Sequence, residues 1–168
     1  MFVTLLTILK SFSISLGVGS STLAITNFFV AIADGTIDPT ERRMMGVVYV
    51  VLRIAMGLIL FSTLLLLTLE YGAYGLFDMS AFSLAQVTAL GVLFLNAMLM
   101  TAHLVPSTFG PAIQAGSWYT LGALAALQMV DVTDFSYLTF LLAYLTWTAL
   151  AIGIVNAIME IMKQQKED

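Results

Sequence analysis

Five apolar stretches of about twenty residues each constrain the fold of this chain more than any other feature. They lie at residues 12–33, 44–69, 81–104, 111–130 and 138–162. A helix of roughly 20 residues covers the ~30 Å hydrocarbon core of a bilayer. We therefore predict an all-α membrane protein, a bundle of about five transmembrane helices.

The composition agrees with lipid as the surrounding solvent. Of the 168 residues, 60% are hydrophobic and 10% are charged, whereas a soluble domain carries roughly a quarter charged residues. We predict one transmembrane helical domain over residues 1–168. One straight helix from Phe2 to Ala33 would be about 48 Å long, too long for a single crossing, so residues 1–11 are interpreted as an interfacial lead-in. A signal peptide cleaved after Ala33 is the alternative, although Lys10 is the only basic residue before that point.

Charged residues outside the apolar stretches predict the orientation. In a five-span chain the basic loop residues all fall on one side: Arg42, Arg43, Lys163 and Lys166. The loops at 70–80 and 131–137 contain acidic residues and no basic one. Because cytoplasmic loops carry an excess of Lys and Arg, we expect a multi-pass protein of the cell membrane with the N-terminus outside and the C-terminus cytoplasmic.

The segment at 34–43 has the sequence of a helix start. Asp38 is a suitable N-cap, Pro39 suits the first helical position, and Glu41 completes a capping box, while Gly35 is expected to end the first helix. A calcium loop of the EF-hand type would need Gly at its sixth position and Glu at its twelfth, whereas here Gly35 is at the second position and Met45 at the twelfth. We therefore predict a helical hairpin here, and Pro111 is expected to start the fourth helix in the same way.

Small residues recur at every fourth position on two helices and predict close helix packing. They are Ser13, Gly17 and Ser21 on the first helix, and Ala112, Gly116 and Thr120 on the fourth. Small side chains let helix backbones approach each other in lipid, where no hydrophobic force drives association. We expect both faces to contact other helices.

Polar residues inside the apolar stretches mark the candidate site. Arg53 lies about 13 Å from the cytoplasmic end of its span, too deep for snorkelling alone to solvate it. Counted in the same way, several polar residues fall at similar or shallower depths on other helices, namely Asn27, Asn96, Gln114, Asn156 and Glu160. We predict an intramembrane polar layer of Asn27, Arg53, Asn96, Asn156 and Glu160 in which Arg53 pairs with Glu160. Such a layer either fixes helix pairing or binds a substrate or proton.

His103 is the one histidine, predicted at the cytoplasmic end of the third helix. It is interpreted as a polar helix end, with a proton relay or a haem ligand as the alternatives. The chain has no cysteine and no HExxH, Walker A or GxGxxG motif. We expect no catalytic residue, no metal site and no cofactor, and hence no enzyme.

Three function classes stay open. The preferred one is a non-catalytic accessory or structural subunit of a membrane assembly, because the loops are short and carry few charges. A small channel or transporter acting as an oligomer is the alternative, and a haem- or quinone-linked redox subunit is the third. The expected partners are the lipid bilayer and either copies of the chain or a larger complex. Six scattered basic residues predict no nucleic-acid binding.

Overall fold

A computed structural model describes residues 1–33, 38–72, 79–106 and 109–164, and these ranges contain helices and no strand. The helices are α1 (Phe2–Ala33), α2 (Pro39–Tyr71), α3 (Ala81–Thr101), α4 (Gly110–Met129) and α5 (Tyr137–Gln164). The predicted all-helical fold is confirmed. The predicted end of α1 at Gly35 lies outside the described residues.

The helix starts follow the predicted chemistry. The Asp38 carboxylate accepts a hydrogen bond from the Glu41 amide at 2.7 Å, and the Glu41 carboxylate accepts one from the Asp38 amide at 3.0 Å. This reciprocal pair is the predicted capping box, with Pro39 at the first helical position. Pro111 likewise lies in the first turn of α4.

The first eleven residues differ from the expectation, because they do not form an element separate from the span. α1 runs without interruption from Phe2 to Ala33. Leu6 is buried at 4% exposure, and Lys10 donates a hydrogen bond to the side chain of Gln86 on α3. The start of α1 is therefore continuous with the span and contacts the bundle, and the position of residues 1–11 relative to the bilayer stays a prediction.

α4 lies at the centre of the arrangement. It packs against α1, α3 and α5, while α2 packs mainly against α1. Eight of its twenty residues are buried, including Trp118, which is fully enclosed. Consecutive helices α3 and α4 run in opposite directions, since Asn96 near the end of α3 hydrogen-bonds Gly110 at the start of α4. α3 and α5 run in the same direction, since Thr88 in the first half of α3 hydrogen-bonds Tyr137 at the start of α5.

Both predicted small-residue faces are contact faces. On α1, Ser13 and Ser21 are buried, and a side chain on Gly17 would collide with the ring of Trp118 on α4. On α4, the carbonyl of Gly116 accepts a hydrogen bond from the Trp147 indole of α5 at 3.1 Å. The expectation of close packing at these positions is confirmed.

Four of the five described helices are long and apolar enough to cross a membrane: α1, α2, α3 and α5. This is compatible with an integral membrane protein. α4 is not among them, although it has 20 residues. Its polar side chains Gln114, Ser117 and Thr120 face its neighbours or bond within the helix, so a helix in this position tolerates lower hydropathy than one facing lipid.

Candidate functional site

Asn96 of the predicted polar layer forms a polar contact between helices. It is 4% exposed, and its amide nitrogen donates to the Gly110 carbonyl and to the Gln114 side chain, both at 2.9 Å. The Gln114 amide nitrogen in turn lies 3.7 Å from the sulfur of Met56 on α2. The structure therefore joins α3 to α4 through Asn96 and Gln114 at the depth where the sequence placed polar groups.

The predicted pairing of Arg53 with Glu160 is not formed. Both side chains are exposed, and among the described residues Arg53 makes no hydrogen bond and no ion pair. The physical reason lies in the helix arrangement, because α2 packs mainly on α1 while α5 packs on α4, α1 and α3. The two charges consequently lie on different outer faces of the bundle. That the polar layer binds a substrate or a proton stays a prediction.

The other two members of the layer are less buried than Asn96. Asn27 and Asn156 are half-buried, and neither side chain hydrogen-bonds a described residue. Near them, Ala112, Val155 and Met159 form a small apolar cluster against Phe28 and Phe29. This end of the bundle is therefore held by apolar packing between α1, α4 and α5, with Asn96 and Gln114 as its hydrogen-bonded pair.

His103 lies beyond the predicted helix end, since α3 stops at Thr101. It is exposed and has a left-handed backbone with φ 57°. Its amide donates to the Met100 carbonyl at 3.1 Å, and the Leu104 amide donates to the Leu99 carbonyl at 2.9 Å. This pair of bonds is a Schellman motif, in which His103 occupies the position usually taken by glycine. His103 is therefore part of the C-terminal cap of α3.

A second polar region, which the sequence analysis did not identify, lies at the opposite end of the bundle. It is a cavity of about 740 Å³ bounded by the start of α1, the end of α2, the start of α3 and the end of α4. Its polar lining includes Lys10, Glu70, Gln86 and Gln128. Lys10 donates to the Gln86 side-chain oxygen, and Gln86 is 7% exposed.

The hydroxyl groups of Ser80 and Ser83 also line the cavity. The hydroxyls of Tyr71 and Ser83 are 3.1 Å apart, and those of Ser80 and Ser83 are also 3.1 Å apart. Ser80 is the N-cap of α3, accepting from the Ser83 amide. These bonds fix the end of α2 against the start of α3, and hence the shape of the cavity mouth.

Lys10 was the signal that could have revealed this cavity. An ionisable residue eight positions into an apolar helix needs a partner, but the interpretation of residues 1–11 as an interfacial segment removed that need. Gln86 is likewise an amide within the third apolar stretch. Two such residues on different helices predict a polar contact, although the sequence cannot say that the helices are neighbours.

Neither region has the side chains of a metal site. Within the described ranges, no three His, Cys, Asp or Glu residues lie together in a way that could hold a metal ion. No known protein family, curated protein or solved structure matches the chain.

Proposed function

We propose that this chain is a multi-pass protein of the cell membrane that acts as a non-catalytic subunit of a larger membrane assembly. In this proposal all five helices cross the bilayer, with the N-terminus outside and the C-terminus in the cytoplasm. The cavity then opens to the outside, and Arg53 lies in the cytoplasmic half. The basic residues Arg42 and Arg43, at the start of α2, support this orientation.

The position of α4 supports a fifth crossing. It is packed against both α3 and α5, which are apolar enough to span. It hydrogen-bonds α3 through Gly110 and Gln114 and α5 through Gly116 and Ser117. Its 20 residues correspond to about 30 Å of helix, the thickness of the hydrocarbon core. A helix that is shielded by neighbours can cross with fewer apolar residues than one that faces lipid.

Arg53 is the observation that carries the subunit proposal. Its side chain is exposed on the outer face of α2, and no described residue pairs with it. A lone arginine deep in lipid costs roughly 2.5–3.5 kcal/mol on insertion scales, and side chains of this kind ordinarily face protein or a water-filled cavity. A second protein surface that covers this face of α2 would remove the cost.

The same face of α2 offers room for such a surface. Gly46 and Gly57 lie seven positions before and four positions after Arg53, which places all three on one side of the helix. A side chain added to either glycine would meet nothing within 4 Å. Small residues of this kind let a partner helix approach closely, and the partner would supply a carboxylate for Arg53.

A homo-oligomer, as expected of a small channel or transporter, is the second candidate. The observation in its favour is Glu160, an exposed carboxylate on α5. It belongs to the same end of the bundle as Arg53. The ion pair that is absent within one chain can therefore form between two copies, each offering Arg53 on α2 and Glu160 on α5. Such a head-to-tail contact closes into a ring when the rotation between copies permits.

Charge reversal distinguishes the two candidates. We would determine the native mass of the complex, purified in mild detergent, for the wild type, Arg53→Glu, Glu160→Arg and the double reversal. The subunit proposal expects Arg53→Glu to release the partner, Glu160→Arg to retain it, and the double variant to remain dissociated. The homo-oligomer expects both single variants to dissociate and the double variant to reassemble.

The matched control is Arg43→Glu, which reverses an exposed charge in the first turn of the same helix. It should keep the wild-type mass. A wild-type protein that is monomeric in detergent and in lipid nanodiscs, with Arg53→Leu equally stable, would contradict both candidates.

A further inference from the structure

The cavity at the outer end of the bundle combines features that a structural polar contact does not need. The ammonium group of Lys10 has three hydrogen-bond donors, and among described residues it uses one, toward Gln86. The Gln86 amide nitrogen donates to no described residue, although its side chain is 7% exposed. Donors of both residues therefore remain for a ligand, and both residues line the cavity.

Charge is distributed along the depth of the cavity. Gln86 lies five positions into α3, about 8 Å from the helix start, and holds Lys10 at that level. Glu70 is exposed one position before the end of α2 and lines the same cavity as Lys10. The inner part of the cavity thus carries the positive charge of Lys10, and the rim carries the negative charge of Glu70. These two charges sum to zero.

The remaining wall is apolar. Leu66 and Leu67 of α2 and Leu121 of α4 line the cavity beside the polar groups. A volume of about 740 Å³ falls within the range of small-molecule sites. A ligand that matches this cavity has an anionic group next to Lys10, a cationic group next to Glu70 at the rim, and a hydrocarbon part that contacts the leucine side chains.

The geometry points to a binding site for a phosphoethanolamine zwitterion, with the phosphate at Lys10 and Gln86 and the primary ammonium at Glu70. In a phospholipid headgroup the phosphate lies nearer the hydrocarbon than the ammonium does, the same order as Lys10 and Glu70. The acyl chains would follow the leucine wall. The same headgroup chemistry also occurs in a free, water-soluble molecule, so the source is decided by experiment.

The test uses delipidated full-length protein and native mass spectrometry. The probes are short-chain phosphatidylethanolamine, phosphatidylcholine, phosphatidylglycerol and free O-phosphoethanolamine. Phosphatidylethanolamine should bind about tenfold more tightly than phosphatidylcholine, whose quaternary ammonium cannot donate a hydrogen bond to Glu70. Phosphatidylglycerol, which has no ammonium group, should bind more weakly as well.

Variants identify the residues responsible. Lys10→Met should weaken binding of phosphatidylethanolamine about tenfold, and Glu70→Gln should remove its advantage over phosphatidylglycerol. The matched controls are Arg43→Met and Asp134→Asn, which alter exposed charges outside the cavity and should bind as the wild type does. If Lys10→Met does not fold, the headgroup preference of the wild type decides the question alone.

The binding results distinguish a phospholipid headgroup from a free phosphoethanolamine molecule as the ligand, and they can also contradict the proposed site. Binding of the lipid without binding of free O-phosphoethanolamine assigns the site to a headgroup, and binding of both assigns it to the zwitterion from either source. Equal affinity for the ethanolamine and choline lipids, wild-type affinity in Lys10→Met, or no binding of any probe would overturn the inference.

Discussion

The indole ring of Trp118 lies against the backbone of Gly17 on the facing helix. A methyl group at Gly17 would lie 2.3 to 2.4 Å from three carbon atoms of that ring, a separation that non-bonded carbon atoms do not tolerate. Trp118 is fully buried. The missing side chain at Gly17 is therefore what admits a large aromatic residue of α4 between the helices, and it fixes the distance between α1 and α4.

Gly17→Ala should consequently destabilise the bundle. The added methyl group forces Trp118 to move within a packed core, and overpacking of this kind costs about 1–3 kcal/mol. Gly19→Ala is the control on the same helix, since a side chain there meets nothing within 4 Å; it should be neutral or gain up to about 1 kcal/mol from helix propensity. Thermal unfolding in one detergent would compare them, and equal midpoints for both variants would contradict the packing argument.

Replacing His103 or Asp131, which both have a left-handed backbone, with glycine should increase the stability of the protein. His103 has φ 57° and Asp131 has φ 58°, and each occupies the glycine position of a Schellman motif, the second formed by the Asp131 and Val132 amides with the Gln128 and Leu127 carbonyls. Glycine relieves the left-handed backbone at an entropic cost, so each substitution should gain roughly 0.5–1 kcal/mol.

Comparing His103→Gly with Asp131→Gly also tests a role for the histidine. If His103 serves only as a helix cap, both variants should be more stable and should retain any partner or lipid that copurifies with the wild type. Loss of a bound component in His103→Gly, with Asp131→Gly unchanged, would restore the ligand or proton-relay interpretation.

The helices were predictable because each depends on local sequence. Apolar length placed all five, and the Asp38 capping box follows from side chains three positions apart. What failed depends on which helices are neighbours. The pairing of Arg53 with Glu160 required α2 to lie beside α5, whereas α2 packs mainly on α1.

The candidate sites show the same limit. Asn96 was predicted as a member of the polar layer because it is an amide in an apolar helix, and the structure shows it buried with hydrogen bonds to α4. That it binds a ligand stays a prediction. The cavity around Lys10 was missed because it is assembled from the ends of four helices, and no pattern along the chain records how those ends meet.

Asn96 should contribute measurably to stability. Asn96→Leu removes two hydrogen bonds of 2.9 Å and leaves the Gln114 oxygen without its partner. Hydrogen bonds between membrane helices average about 0.6 kcal/mol and reach about 1.7, and we expect a loss in this range. Asn156→Leu is the matched control, because Asn156 is half-buried and bonds no described side chain; a similar loss there would mean that Asn96 acts by packing alone.

The orientation can be determined by labelling, because the chain contains no cysteine and has no background reaction. Thr40→Cys and Asp134→Cys each introduce one exposed thiol, at the start of α2 and just before α5. With five crossings and the basic loops inside, an impermeant thiol reagent added to intact cells should label Asp134→Cys and not Thr40→Cys. Permeabilised cells should show both labelled, which confirms that each thiol is reactive. The reverse pattern would invert the orientation, and labelling of both in intact cells would contradict a membrane crossing by α2, α3 and α4 between the two positions.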